Sequence, residues 1–447
     1  MTTRHALMSP ASGMLAAVAV LAAGCGGGTL QPGGASSGLG NISGAGTGAG
    51  GAVTGGGGAG AAVSGGGGAG AGSAVTGGGG AGAGSAVTGG GGAGAGTAFT
   101  PKREVDMLFV IDSSSSAGPL QANLLYNFPA MISALSASAG GLPSLQLAVI
   151  TADMGAGDGS IAGCSAGEGD AGLFRWSANT PCAATLMSPD TTFIWNLDST
   201  ANYKGTLSDA FACLAAVGTK GCSFQQPLAA IARALGADGR RLPDESRGFL
   251  RPDAFLYVAI VTGEDDCSVP AGSVLFDTKV NATLDSMLGP PTHYRCNEFG
   301  HLCGGSAPPR RAPGGSVNDV VTLLDPCTSA EGFGSLTPVE TFIAQLRSLK
   351  RFPDQQIIVA TISGAPMPYT IHWRSPATAD SGPWPEISHS CTAADGSVAD
   401  PAIRLAQWAK SFGDNAEHVS ACDSSYAPSL NLLVQRLPPQ LLPPNPP

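Results

Sequence analysis

Four short runs of mostly apolar residues, 105–111, 145–150, 254–261 and 357–362, constrain the fold more than anything else in this chain. Each is too short for a buried helix and lacks the alternation of a half-solvated strand. Such runs belong to strands covered on both faces, as in parallel sheets. Helical spacing fills the intervals. It is expected over 120–135, over 224–235, from Thr337-Pro338-Val339-Glu340 to 350, and over 402–412 behind Asp400-Pro401. Thr337 and Glu340 form a capping-box pattern with Pro at the first helical position. Strands alternating with helices predict an α/β class: a doubly wound, mostly parallel sheet with helices on both faces. Two Cys-containing stretches, 155–209 and 267–336, read as irregular insertions decorating one domain.

Composition divides the chain before any fold is considered. Many of the 67 glycines lie between 26 and 97, where Ala-Val-Thr-Gly-Gly-Gly-Gly-Ala-Gly-Ala-Gly-Ser recurs with Val75 and Val87 on the same beat. One Val per repeat gives no face on which repeats could stack. The segment reads as a flexible tether, with a root-mean-square span on the order of 50 Å. Ahead of it, Arg4 and His5 precede a short apolar run ending in Ala22-Ala23-Gly24-Cys25. The run is too short to span a bilayer and reads as an export signal. The expected organisation is signal peptide 1–24, Cys25 and tether 25–98, a folded domain 99–437 and a Pro-rich tail 438–447.

The small residues before Cys25 resemble the lipobox of bacterial lipoproteins, with Ala22 where Leu is usual. The resemblance implies lipidation of Cys25, and Gly26 rather than Asp after it points to the outer membrane of a Gram-negative bacterium. Of the eleven cysteines, ten then remain: Cys164, Cys182, Cys213, Cys222, Cys267, Cys296, Cys303, Cys327, Cys391 and Cys422. An even number in an exported chain predicts up to five disulfides. Zinc is the competing reading for Cys296, His301 and Cys303, but no second close pair completes a tetrahedral set. A net charge of −10 with 12% charged residues excludes a nucleic-acid partner and electrostatic docking on anionic lipid.

The chemistry concentrates where the first strand ends, in Asp112-Ser113-Ser114-Ser115-Ser116. Ligands bind at the carboxyl ends of strands in open α/β sheets. An Asp-x-Ser-x-Ser loop can aim one carboxylate and two hydroxyls at a single point, a hard all-oxygen set suited to Mg²⁺. The plainer reading is a Ser-rich turn capping the next helix. The pattern resembles the metal-ion-dependent adhesion site of von Willebrand factor type A domains. That resemblance extends over most of 105–437. It implies a cation, Mg²⁺ with Mn²⁺ or Ca²⁺ as alternatives, held by Asp112, Ser114, Ser116 and, from the second loop, Thr219 by its residue type in preference to Ser223, which stands nearer the helix start. It also implies a protein or surface partner that donates an acidic side chain. Gly263 stands in Val261-Thr262-Gly263-Glu264-Asp265-Asp266 where the family places an Asp. Glu264 or Asp265 would have to replace that ligand, and a shift of one residue after a strand usually points the side chain elsewhere.

Catalysis is the other class weighed. Gly163-Cys164-Ser165-Ala166-Gly167 matches a hydrolase nucleophile elbow, but no strand is expected before Ser165 and no helix after it. Trp384, His389 and Cys391 read as packing beneath a disulfide, and Trp408 as core. The expectation is a surface-anchored binding or adhesion lipoprotein, not an enzyme. The alternatives are a metal-independent structural or interaction module of the envelope and, behind it, a hydrolase using Ser165.

Overall fold

The computed structural model describes residues 99–438, apart from 139, 158, 162, 177–184, 188–190, 198–199, 279–282, 316–318, 333 and 375–383. The expected signal peptide, the lipidated Cys25, the tether, Cys182 and the tail beyond 438 lie outside the described residues. The chain divides into two units, 1–89 and 90–447, and the described residues all belong to the second.

The element order begins β1 (Glu104–Ile111), α1 (Gly118–Ala137), β2 (Ser144–Thr151), β3 (Ile194–Leu197), β4 (Thr200–Ala201), α2 (Leu207–Ala215), α3 (Pro227–Ala234) and β5 (Phe255–Val261). It continues α4 (Tyr294–Gly300), β6 (His301–Cys303), β7 (Val320–Leu324), β8 (Cys327–Ser329), α5 (Val339–Arg347), α6 (Pro353–Gln356) and β9 (Ile357–Ser363). It ends β10 (Tyr369–Arg374), β11 (Trp384–Ile387), β12 (Cys391–Thr392), β13 (Val398–Ala399), α7 (Ile403–Lys410), β14 (Ala416–Ser420) and α8 (Asn431–Arg436).

The mixed α/β fold is built on a seven-stranded sheet ordered β14-β9-β5-β1-β2-β3-β4. The five strands from β14 to β2 are parallel, and β3 and β4 extend the sheet antiparallel. Alternate residues of β1 serve two cores. Met107 and Phe109 meet Phe128 of α1, Phe211 of α2 and Leu433 of α8. Leu108 and Val110 meet Leu228 of α3, Phe342 of α5 and Trp408 of α7. Every residue of β5 and β9 is buried, which is why their sequences show no alternation. From β1 the chain steps to β2 on one side, then to β5, β9 and β14 on the other. The order reverses between β1 and β5, so their carboxyl ends flank a crevice.

Smaller sheets are β11-β10-β7, β12-β13 and β6-β8; β6, β7 and β8 fall in the stretch 267–336, and β10 to β13 lie between β9 and α7. Four disulfides join Cys164 to Cys222, Cys267 to Cys296, Cys303 to Cys327 and Cys391 to Cys422. Cys213 is also disulfide-bonded. The zinc alternative is thereby answered: Cys296 and Cys303 are both bridged, and His301 is hydrogen-bonded to Tyr369 and Asp265.

Three helix expectations need correction. The helix expected from 224 begins only at Pro227, because Gln225 bridges to Asp153 and Phe224 packs against Phe276. The Thr337–Glu340 capping box does not form. Thr337 is held by its backbone between Ser268 and Arg404, and Glu331 accepts the Val339 N–H at 3.0 Å instead. That helix, α5, also stops at Arg347, so that Lys350 can turn to the amino end of the sheet. The stretch 155–209 is not wholly irregular, since it contributes β3, β4 and the start of α2.

Candidate functional site at the carboxyl ends of β1 and β5

Strand β1 delivers Asp112 into the crevice with 1% of its surface exposed. Three neutral donors satisfy its carboxylate. Oδ1 accepts the Ser114 N–H at 2.7 Å, and Oδ2 accepts the Thr262 hydroxyl at 3.0 Å and the Gly263 N–H at 3.2 Å. Ser114 and Ser116 bring their Oγ atoms to 3.1 Å of each other. Gln121, in the first turn of α1, donates to the carbonyls of Asp112 and Gly218 and so ties the first loop to the second. Thr219 stands in that second loop, exposed, with its methyl beside Gly118. Among the described residues no hydrogen bond joins its hydroxyl to Asp112, Ser114 or Ser116. Hydrogen bonds thus link Asp112, Ser114 and Ser116 to one another.

The third loop is occupied differently from the family pattern. A Cβ on Gly263 would lie 3.0 Å from the Val398 carbonyl oxygen and 3.3 Å from Leu120 Cδ1. A Cβ on Gly364 would collide with the Asp400 carbonyl. The β12–β13 hairpin is thus a strap laid over the ends of β5 and β9. Asp400 N–H binds the Gly263 carbonyl at 2.8 Å, and the Cys391–Cys422 disulfide fastens the hairpin beside β14. A side chain at 263 would press on that strap from its first carbon.

The acidic run that follows is shared out among other tasks. Asp265 accepts the Arg404 and Leu405 N–H groups at 2.8 and 3.0 Å, capping α7, and takes His301 Nε2 at 2.9 Å. Burial opposes its charge, yet the His301 bond and the two N–H groups hold its carboxyl below the usual range. Asp266 accepts the Leu228 N–H at the start of α3 and the Arg404 guanidinium at 3.0 Å. Both carboxylates are spent on holding helices to the sheet.

Glu264 alone of the three turns into open space. A cleft of about 900 Å³ stands over the crevice, walled by Ser116, Ser223, Glu264, His293, Trp384 and His389 among others. The Glu264 side chain is 13% exposed, and its Oε1 lies 3.5 Å from His293 Nδ1. Burial, then the charges of Asp112 and Asp400, push its carboxyl well above the ordinary range. Burial pushes His293 down. Across the cleft, the 2.6 Å hydrogen bond from His389 Nδ1 to Asp400 raises that imidazole, and Arg374 pairs with Glu386.

Trp384 and His389, which read in the sequence as packing, are therefore cleft residues. Their own spacing gave no sign of this, because the rest of the lining, Ser116, Ser223, Glu264 and His293, comes from distant parts of the chain. Ser165 is exposed on a loop, with no strand directly before it or helix directly after it among the described residues. Among the described residues, no three His, Cys, Asp or Glu side chains gather closely enough to hold a metal ion. A cation here would lean on the serine hydroxyls. Comparison with known proteins finds no family model and no curated protein that matches this chain.

Proposed function

We propose that this chain is an exported binding protein. In this reading a doubly wound, type A-like domain is carried on a Gly-rich tether from lipidated Cys25 at the outer membrane, and it takes its ligand in the cleft over β1 and β5. The observation that carries the proposal is the position of the 900 Å³ cleft at the place where the strand order reverses. Four disulfides are compatible with export, and no described helix is long and apolar enough to cross a membrane.

Binding without a resident cation fits these residues better than the cation-bridged form. The Asp112 carboxylate is already engaged by three protein donors, and the strap packs closely on Gly263, which offers no third-loop ligand. The residues do not supply the set that a type A site uses, so no step is drawn through Mg²⁺. The convergence of the Ser114 and Ser116 hydroxyls favours the cation-bridged form as the second reading.

A ligand-observed NMR screen of small fragments against the oxidised chain tests the proposal. Ser223→Trp, which fills one wall of the cleft, serves as comparator. Fragments that bind the native chain and fail on the variant support the reading. Fragments that bind both equally place ligand recognition elsewhere on the molecule.

A further inference from the structure

Three features stand out beyond the site geometry. The β11-β10-β7 sheet exposes Val321 and Leu323 on its edge strand, but nothing in the structure says what would cover them. The His389–Asp400 pair has the orientation of a general base, yet no described nucleophile is hydrogen-bonded to its imidazole. The charge inventory of the cleft goes further.

Six ionisable side chains with opposing charges line that cleft, and four of them cancel. Arg374 pairs with Glu386, and His389 with Asp400. Glu264 faces only His293, at 3.5 Å. Burial opposes a positive charge on His293, so it is a weak counter-charge at 3.5 Å. Beneath Glu264 lies a second carboxylate, Asp112, whose partners are an O–H and two N–H groups and no cation. The cleft therefore presents one carboxyl group without a hydrogen-bonded cationic partner among the described residues, and the indole of Trp384 lines the same cleft. A cation entering there would draw the Glu264 carboxyl toward its ionised form in a partly desolvated setting, where charge-assisted bonds are strong, and the cleft also holds an aromatic ring of the kind that attracts positive charge.

We propose that the cleft receives a basic side chain of a protein partner, a lysine ammonium or arginine guanidinium, with Glu264 as its counter-charge and Trp384 as part of the surrounding wall. This rests on the cleft-binding reading above and reverses the partner charge that a cation-bridged site would select. Burial first, and the charges of Asp112 and Asp400 after it, disfavour the ionised Glu264 carboxyl, and a cation seated beside it would offset both.

The test titrates the oxidised chain with Nα-acetyl-lysine amide and Nα-acetyl-arginine amide, followed by saturation-transfer NMR. The Nε-acetylated lysine, of similar shape without the charge, and Nα-acetyl-glutamate amide are the controls. The expected result is saturable binding of the two basic probes alone. Glu264→Gln should weaken it by about tenfold or more, the size of one charge-assisted hydrogen bond. Trp384→Leu, on a separate strand, should weaken it less and keeps the test informative if the first variant misfolds. Equal binding of the acetylated and charged lysines, or no change in Glu264→Gln, overturns the charge assignment and leaves the cleft-binding reading standing. Failure of every probe and of the fragment screen on a folded chain overturns both.

Discussion

Strand β1 carries a buried carboxylate near each end, and the chain answers the two in opposite ways. At the amino end, Asp106 is fully buried and met by cations. Arg251 binds it through Nε at 2.7 Å and through its backbone N–H at 2.7 Å, and Lys350 stands 3.7 Å away. At the carboxyl end, Asp112 is equally enclosed but is met only by an O–H and two N–H groups. Burial drives the Asp106 carboxyl up, and the two cations pull it back. A buried charge neutralised within the chain belongs to the scaffold. A pair of carboxyl groups, Asp112 and Glu264, without a hydrogen-bonded cation among the described residues stands at the end of the sheet where ligand binding is proposed.

The comparison can be broken at either end. The largest effect is expected at the scaffold end. Asp106→Ala leaves Lys350 buried without its carboxylate and should cost about 3–5 kcal/mol in denaturant unfolding. Asp112→Ala strands three donors of lesser charge and should cost less, about 2–3 kcal/mol. A loss at Asp112 equal to that at Asp106 would erase the distinction between the two ends.

Gly263→Asp restores the family carboxylate and sharpens the comparison. Its Cβ meets the Val398 carbonyl and Leu120, so the strap must shift, at about 1–3 kcal/mol. Hydrogen exchange at the Asp400 N–H, which binds the Gly263 carbonyl, should accelerate in that variant. The smallest effect, of opposite sign, is expected at Glu264. Its carboxyl is raised in the folded state, so its contribution to stability is complete below the unfolded pKa and is lost as pH rises through the folded one. Gln copies the protonated form. Glu264→Gln should therefore stabilise the chain at neutral pH, with the gain fading as pH falls, read as the change in Tm across a pH series.

The central strands were legible to within a residue because β1, β2, β5 and β9 are buried on both faces and carry almost no polar interruption. The edge strands were not. In β14, Ala-Glu-His-Val-Ser, only Val419 is buried, and β3 and β4 are short and antiparallel. Helix α2 was readable in principle, since Thr206 and Asp209 make a true capping box. At the site, the Asp112 loop stood out because its residues are contiguous. The partners that decide its chemistry come from far along the chain: Thr262 lies 150 residues on, and Arg404 reaches Asp265 across 139. Local pattern carries no trace of pairings at such separations, nor of a Val398 carbonyl resting on Gly263.

Calorimetric titration of the oxidised chain with Mg²⁺ and Mn²⁺, with Asp112→Ala alongside, tests the central claim most directly. If Asp112 is satisfied by Ser114, Thr262 and Gly263, neither ion should show saturable binding that the substitution removes. Saturable binding lost in Asp112→Ala would contradict the account and return the carboxyl end of β1 to a cation-bridged mechanism.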